Sequence, residues 1–587
     1  MIKKFFIAML GTLAGIWISI FVLIFGTLFT IGILISKNVD TKSFTEDKIL
    51  RIQLSGTIPE RAQNQDLQDI IYSGQTDKPE TFEDIVASIY AASNDKKVKA
   101  LYLDCDGSSL GLASREEIVA AIKAFRASGK PVYSYADSYE QGDYMLASQG
   151  DKIYMNPLGA VNLHGLGSMT LFYADLLKKL GIEMQIFKVG AFKSAVEPFI
   201  RTDMSEPSRL QTQVFLNQIW NSMVATMAND SVPEHTIRAI SDSVAMCLPA
   251  ETFLETKLVT ALKYRHELDD EFRTLLSLKE DDDIPFVSPA EYMLQSDIEK
   301  VSDKKDHIAV LYAVGDIVDS GNGGIVGRNM VPAILKLAKD KNVKGLVLRV
   351  NSGGGSAFAS EQIWEALEQF KATGKPFYVS MGDYAASGGY YISCGADSIF
   401  ADKATLTGSI GIFGMMPCAR ELVTEKIGVK VDTVTTSANS VFPNLLFPAN
   451  STEATSMQRN VERGYELFTS RVAKGRDIPQ DSVKAIGGGR VWDGVSALNI
   501  GLVDKIATLD YTIGAMARKV NLNADQYVSY PRIEDNIWST LMELGSMHAT
   551  IDVNGLPAEE AIEYVRAVRG MQNWSPVQAR METIVIK

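Results

Sequence analysis

Residues 95–101 read Asp95-Lys96-Lys97-Val98-Lys99-Ala100-Leu101, and residues 340–346 read Asp340-Lys341-Asn342-Val343-Lys344-Gly345-Leu346. Further along each copy comes Gly-Lys-Pro, first as Gly129-Lys130-Pro131 and again as Gly374-Lys375-Pro376. Both anchors carry the same offset (340 − 95 = 374 − 129 = 245), which marks an internal repeat. Between the anchors, Glu116 to Phe125 and Glu361 to Phe370 place apolar residues at helical spacing. Leu101-Tyr102-Leu103 and Leu346-Val347-Leu348 are short unbroken apolar runs, as expected of strands covered on both faces. Each copy therefore spells strand, turn, helix, Gly-Lys-Pro, strand, the rhythm of an α/β domain. The expected fold is two tandem α/β domains with mostly parallel sheets.

Working outward, Ile49 to Leu54 and Ile308 to Val314 read as the strands that open the two copies. The expected division is an N-terminal anchor and linker over 1–47, a first repeat over 48–266, a second over 306–519, and an extension over 520–587 with no legible role. Residues 267–305 are rich in Asp, Glu and Lys and read as a solvated linker. Residues 5–36 carry no charge, and about 20 apolar helical residues suffice to cross a bilayer, so one transmembrane helix is expected there. Lys3 and Lys4 precede it, while Lys37 and Lys42 follow with Asp40 and Glu46 among them. The positive-inside bias is slight and points the N-terminus toward the cytoplasm, with the rest of the chain beyond a bacterial membrane.

The 587 residues are 46% hydrophobic and carry a formal net charge of −13, which disfavours nucleic acid as a partner. The four cysteines form no CxxC pair and have no histidine cluster beside them, so neither a metal site nor a disulfide framework is expected. No cofactor is expected.

Two glycine-rich stretches suit chemistry. Thr405-Leu406-Thr407-Gly408-Ser409-Ile410-Gly411 sets a serine at a tight bend where another chain can approach its hydroxyl. Asn351-Ser352-Gly353-Gly354-Gly355-Ser356 lies between a strand and a helix, where backbone N–H groups can face a cleft and receive an oxyanion. A phosphate cradle is the rival use, but the Gly-Lys-Ser/Thr ending is missing. The first copy lacks both features: Leu163 falls opposite Ser409, and Asp106-Gly107-Ser108-Ser109 replaces the glycine turn. It instead carries Lys193, among small and apolar neighbours, where the second copy has Ser440. A desolvated lysine can act as base toward a serine hydroxyl. Such divided twins would form one composite site. Lys188 competes for the role of base, and His164 stands as an alternative without an evident acidic partner.

Four stretches then combine into a specific signature: Phe192-Lys193-Ser194-Ala195-Val196-Glu197-Pro198-Phe199, the glycine turn, Thr405 to Gly414, and Gly489-Arg490-Val491-Trp492 with Gly501-Leu502-Val503-Asp504. They resemble the signal peptide peptidase A (protease IV) family in its long, duplicated form, over most of the chain up to about residue 510. The resemblance implies a Clp-protease/crotonase-like fold and a membrane-anchored serine endopeptidase of the bacterial envelope. It implies Ser409 as nucleophile, Lys193 as general base, and Gly354 or Gly355 with Ile410 as oxyanion donors. It further implies signal-peptide remnants as substrates and a homotetramer. Gly353 departs from the family, which commonly has proline there.

Overall fold

The computed structural model of the chain describes residues 46–62, 80–295, 303–321, 323–531 and 577–581. In the first half, β1 (Lys48–Gly56), α1 (Phe82–Asn94), β2 (Val98–Ser108), α2 (Leu112–Ala127), β3 (Val132–Ala136), α3 (Gln141–Ala147) and β4 (Lys152–Met155) follow the expected order. After β5 (Glu183–Lys188) come β6 (Ala261–Leu262) and β7 (Phe286–Val287). Six strands form one parallel sheet in the order β6-β4-β3-β2-β1-β7. The acidic stretch read as a linker thus contributes β7 to this sheet, after the helix Arg265–Leu276, which buries Leu268 and Phe272.

The second half repeats the plan. Its elements are β8 (His307–Val314), β9 (Ile317–Val318), β10 (Ile325–Val326), β11 (Val343–Ser352), β12 (Gly354–Ser356), α4 (Ala357–Ala372), β13 (Phe377–Ala386), α5 (Gly388–Ser393), β14 (Ser398–Ala401), β15 (Leu406–Gly408) and β16 (Phe413–Cys418). They are followed by β17 (Val491–Asp493), β18 (Lys505–Ile506), β19 (Tyr527–Tyr530) and β20 (Val577–Arg580). The main sheet runs β17-β15-β13-β11-β8-β19, with β14 beside β13 and β18 beside β14; only the β15–β17 pair is antiparallel.

The repeated anchors have a mechanical cause. Lys130 Nζ donates to the Ala92 carbonyl at the end of α1 (2.7 Å) and to that of Asp95. Lys375 Nζ donates to the carbonyls of Ala338 (2.9 Å) and Asp340 (2.5 Å), closing the matching helix Gly327–Lys339. Cations at helix C-termini satisfy the orphan carbonyls there. The paired aspartates turn the chain into the next strand: Asp95 Oδ1 accepts from the Lys97 N–H and Asp340 Oδ1 from that of Asn342, each at 2.8 Å.

The halves are fused. Strand β5 of the first half pairs antiparallel with β16 of the second, in a mixed sheet ordered β10-β9-β12-β20-β16-β5. Ala386, Leu406 and Val491 pack into the apolar core of the first half. At the seam Arg349 is fully buried, donating to Glu60 Oε1 (2.6 Å) and Glu117 Oε1 (2.5 Å) of the first half. The expected transmembrane stretch, 5–36, lies outside the described residues; no helix among those described is long and apolar enough to cross a membrane.

Candidate active site

Lys193 follows β5, which the β16 pairing aims across the seam. Its backbone is fixed on both sides. The Phe192 N–H donates to the Gly488 carbonyl (3.1 Å), and Gln211 Nε2 donates to Ser194 Oγ (3.0 Å) while its Oε1 accepts from the Val491 N–H (3.0 Å). Gly489, at φ +87°, lets the second half press against this turn: a Cβ there would stand 2.6 Å from Lys193 N.

The Lys193 side chain is 1% exposed and ends between two serines. Its Nζ lies 2.8 Å from Ser387 Oγ, 3.1 Å from Ser409 Oγ and 3.2 Å from the Ser409 carbonyl oxygen. The structure therefore brings the two sequence-expected residues, Lys193 and Ser409, within hydrogen-bond reach, and adds a serine the sequence reading passed over. Lys188, the competing lysine, pairs in register with Phe413 on β5 and is half-buried.

Ser387 occupies the junction of β13 and α5, fully buried, with φ +55° and ψ −113°. A non-glycine residue in that region is strained, and such strain persists where the surroundings over-determine it. Here the Ser387 N–H donates to the Gly408 carbonyl and its own carbonyl accepts from the Tyr391 N–H, both at 2.8 Å. The signal in the sequence was Ala385-Ala386-Ser387-Gly388-Gly389, a serine flanked by small residues on a strand-to-helix turn. Ser409 also has positive φ (+48°), and its N–H donates to the Arg490 carbonyl (2.7 Å).

The glycine turn faces Ser387. Gly354, at φ +102°, is so close to the turn after Ser387 that a Cβ would lie 2.6 Å from Gly388 N. Its own N–H donates to Ser352 Oγ (3.1 Å). Gly355 is paired with Ile317 of β9. Ile410, expected as an oxyanion donor, belongs to the second-half apolar core, and its carbonyl accepts from the Gly489 N–H (2.8 Å).

The first half has closed its equivalent turn from within. At the offset that aligns Asp151 with Asp397 (397 − 151 = 246), Ser387 is matched by Gln141 and Gly389 by Asp143. The buried Asp143 carboxylate accepts from the N–H groups of Gly107 (3.1 Å) and Ser108 (3.0 Å), from Ser108 Oγ (2.5 Å) and from Arg115 (2.9 Å). A fixed anion thus takes up the N–H groups of the first-half turn. His164 is tied to the same region, its N–H donating to Gln141 Oε1 (3.0 Å).

The model of "Peptidase family S49" matches residues 124–279 and 369–523, two segments whose starts differ by 369 − 124 = 245, the repeat offset. The chain is 36% identical over 503 residues to "Protease 4" of Haemophilus influenzae, covering 81% of this chain and 80% of that protein. It is 27% identical over 530 residues to "Serine protease SPPA, chloroplastic" of Arabidopsis thaliana, covering 87% of this chain and 74% of that protein. A "Putative signal peptide peptidase SppA" of Enterococcus faecium matches at 33% identity over 238 residues, 40% of this chain and 68% of that protein.

Proposed function

The chain belongs to peptidase family S49 and is a serine protease, and from that premise we propose that Ser387 is the nucleophile and Lys193 its general base. The observation that carries this reading is the 2.8 Å contact between Lys193 Nζ and the hydroxyl of a serine held at φ +55° beside the glycine turn. The neutral amine accepts the Ser387 proton as Oγ attacks an amide carbonyl. The N–H of Gly388, with that of Gly355, receives the oxyanion, the Gly354 N–H being held by Ser352 Oγ. Lys193 then returns the proton to the leaving amine, and water releases the acyl group.

Ser409 takes the supporting part. Its hydroxyl and carbonyl both face Nζ, so it orients the amine toward Ser387. Three features favour Ser387 over the sequence-expected Ser409: the shorter contact, the strained strand-to-helix turn, and the adjacency of Gly354 to Gly388. A site built across the seam between halves also accounts for the unequal twins: the first supplies the amine, and its own turn is blocked by Asp143.

The substrates in this reading are unfolded or short peptides, including remnants of cleaved signal peptides, in a bacterial envelope. The apolar run 5–36 anchors the chain to the inner membrane, with the catalytic halves in the periplasm; a four-copy assembly is what the family resemblance implies. The membrane placement is supported by that run, and the substrate class by the similarity to the putative signal peptide peptidase of Enterococcus faecium. The test is cleavage of an unfolded reporter peptide by the full chain. Ser387→Ala is expected to lower kcat by at least about a thousandfold, and Ser409→Ala to leave measurable turnover. Full activity in Ser387→Ala would overturn the assignment.

A further inference from the structure

Strand β20 lies near the end of the chain, and its position in the mixed sheet is unusual. It fills the gap between β12, which carries the glycine turn, and β16, which follows Ser409, and it is antiparallel to both. Gly354 faces Arg580, Gly355 faces Ala579 and Ser356 faces Gln578. On the other side Phe413 faces Gln578 and Gly414 faces Val577. The Met581 N–H donates to the Gly353 carbonyl (2.7 Å). Without β20 the sheet would part into two pieces, β10-β9-β12 and β16-β5, with two strand edges facing one another across a slot one strand wide. Unpaired edges of this kind recruit extended peptides through their main chains.

Within that slot the Ala579 carbonyl oxygen lies against Gly354 and Gly388, the two glycines beside Ser387. Its oxygen is 2.2 Å from the place a Gly354 Cβ would take and 2.9 Å from that of a Gly388 Cβ. The Ala579 side chain is fully buried against the second-half core, while Met581 packs with the core of the first. Arg580 reaches outward to Asp316 Oδ2 (2.8 Å). A substrate main chain cannot share this slot with β20.

We propose that residues 577–581 are a built-in occupant of the peptide groove, competing with substrate, with Ala579 at the position of the residue whose carbonyl is attacked. The inference rests on the peptidase reading and deepens it. The groove takes an extended peptide in the β20 register, with a small side chain at the Ala579 position and a cationic one next, beside Asp316.

The experiment compares three proteins: the full chain, the chain ended after residue 576, and full-length Ala579→Trp, whose indole cannot enter the buried position. A tethered segment acts at an effective concentration on the order of millimolar. Both altered proteins should therefore cleave the reporter peptide with a KM at least about tenfold lower and little change in kcat. A synthetic peptide of residues 576–587 should restore competition in the shortened chain. Unchanged KM in both altered proteins, with activity intact, would overturn the proposal. Binding supplies a readout independent of turnover: the labelled peptide should bind the shortened chain carrying Ser387→Ala saturably, and Asp316→Lys should weaken that binding. Absence of binding would refute the tail's role. Loss of all peptide cleavage in every protein, with peptide binding retained, would instead refute the peptidase reading.

Discussion

Replacing Arg349 with methionine removes the cation that fastens the two halves together. The guanidinium is wholly buried on the central strand β11, donating to Glu60 and Glu117 of the first half and to Ser380 Oγ (3.1 Å). The two carboxylates keep lesser partners, Asn351 Nδ2 for Glu60 (3.0 Å) and the Leu509 N–H for Glu117 (2.9 Å). Neither partner carries charge. Removing one member of a buried ion pair typically costs about 3–5 kcal/mol, because the remaining charge stays desolvated. The cost must depend on pH. Burial already raises the Glu117 pKa against the pull of Arg349, and deleting that pull raises it further. A carboxyl whose folded pKa lies above its unfolded value contributes stability below the unfolded pKa and loses it as pH rises through the folded one. The deficit of Arg349→Met should thus approach the full figure at about pH 8 and shrink toward about pH 5. Urea denaturation of both proteins at the two pH values measures it, and Arg349→Met/Glu117→Gln should recover part of the loss. An equal deficit at both pH values, or one below about 1 kcal/mol, would refute the reasoning.

Three further outcomes follow from the site. Lys193→Met should reduce peptide cleavage by at least about a thousandfold with thermal unfolding little altered. In the unaltered protein kcat/KM should rise with pH on the acid side, since only the neutral amine can take the Ser387 proton; a rate independent of pH there would contradict the assignment. Gly489→Ala would bring a Cβ to 2.7 Å from Lys193 Cα at a backbone φ of +87°, so kcat should fall by about a hundredfold while the far edge of each sheet keeps its hydrogen-exchange protection.

The repeat was legible because its anchors do fixed mechanical work: Lys130 and Lys375 close helices, and Asp95 and Asp340 turn the chain, so the residues recur wherever the geometry does. Lys193 stood out by its apolar surroundings and by having no lysine opposite it in the second copy. Ser387 was harder to see. Its neighbours Ala385, Ala386, Gly388 and Gly389 are small and carry no chemistry of their own, and the backbone twist that turns the hydroxyl toward Lys193 is held by Gly408, further along the chain. The acidic composition of 267–305 concealed β7, two residues whose place is decided by β1 more than two hundred positions earlier. β20 gives no local signal for the same reason: Gln578 and Ala579 become a strand only because β12 and β16 leave a slot of that width.

The central claim is that the first half's amine activates a serine on the strand-to-helix turn of the second. Its most direct test is covalent labelling of the full chain with a serine-directed phosphonate probe, followed by peptide mapping. Modification confined to Ser387, and lost in Lys193→Met, is the predicted result; modification of Ser409 with Ser387 untouched would contradict it.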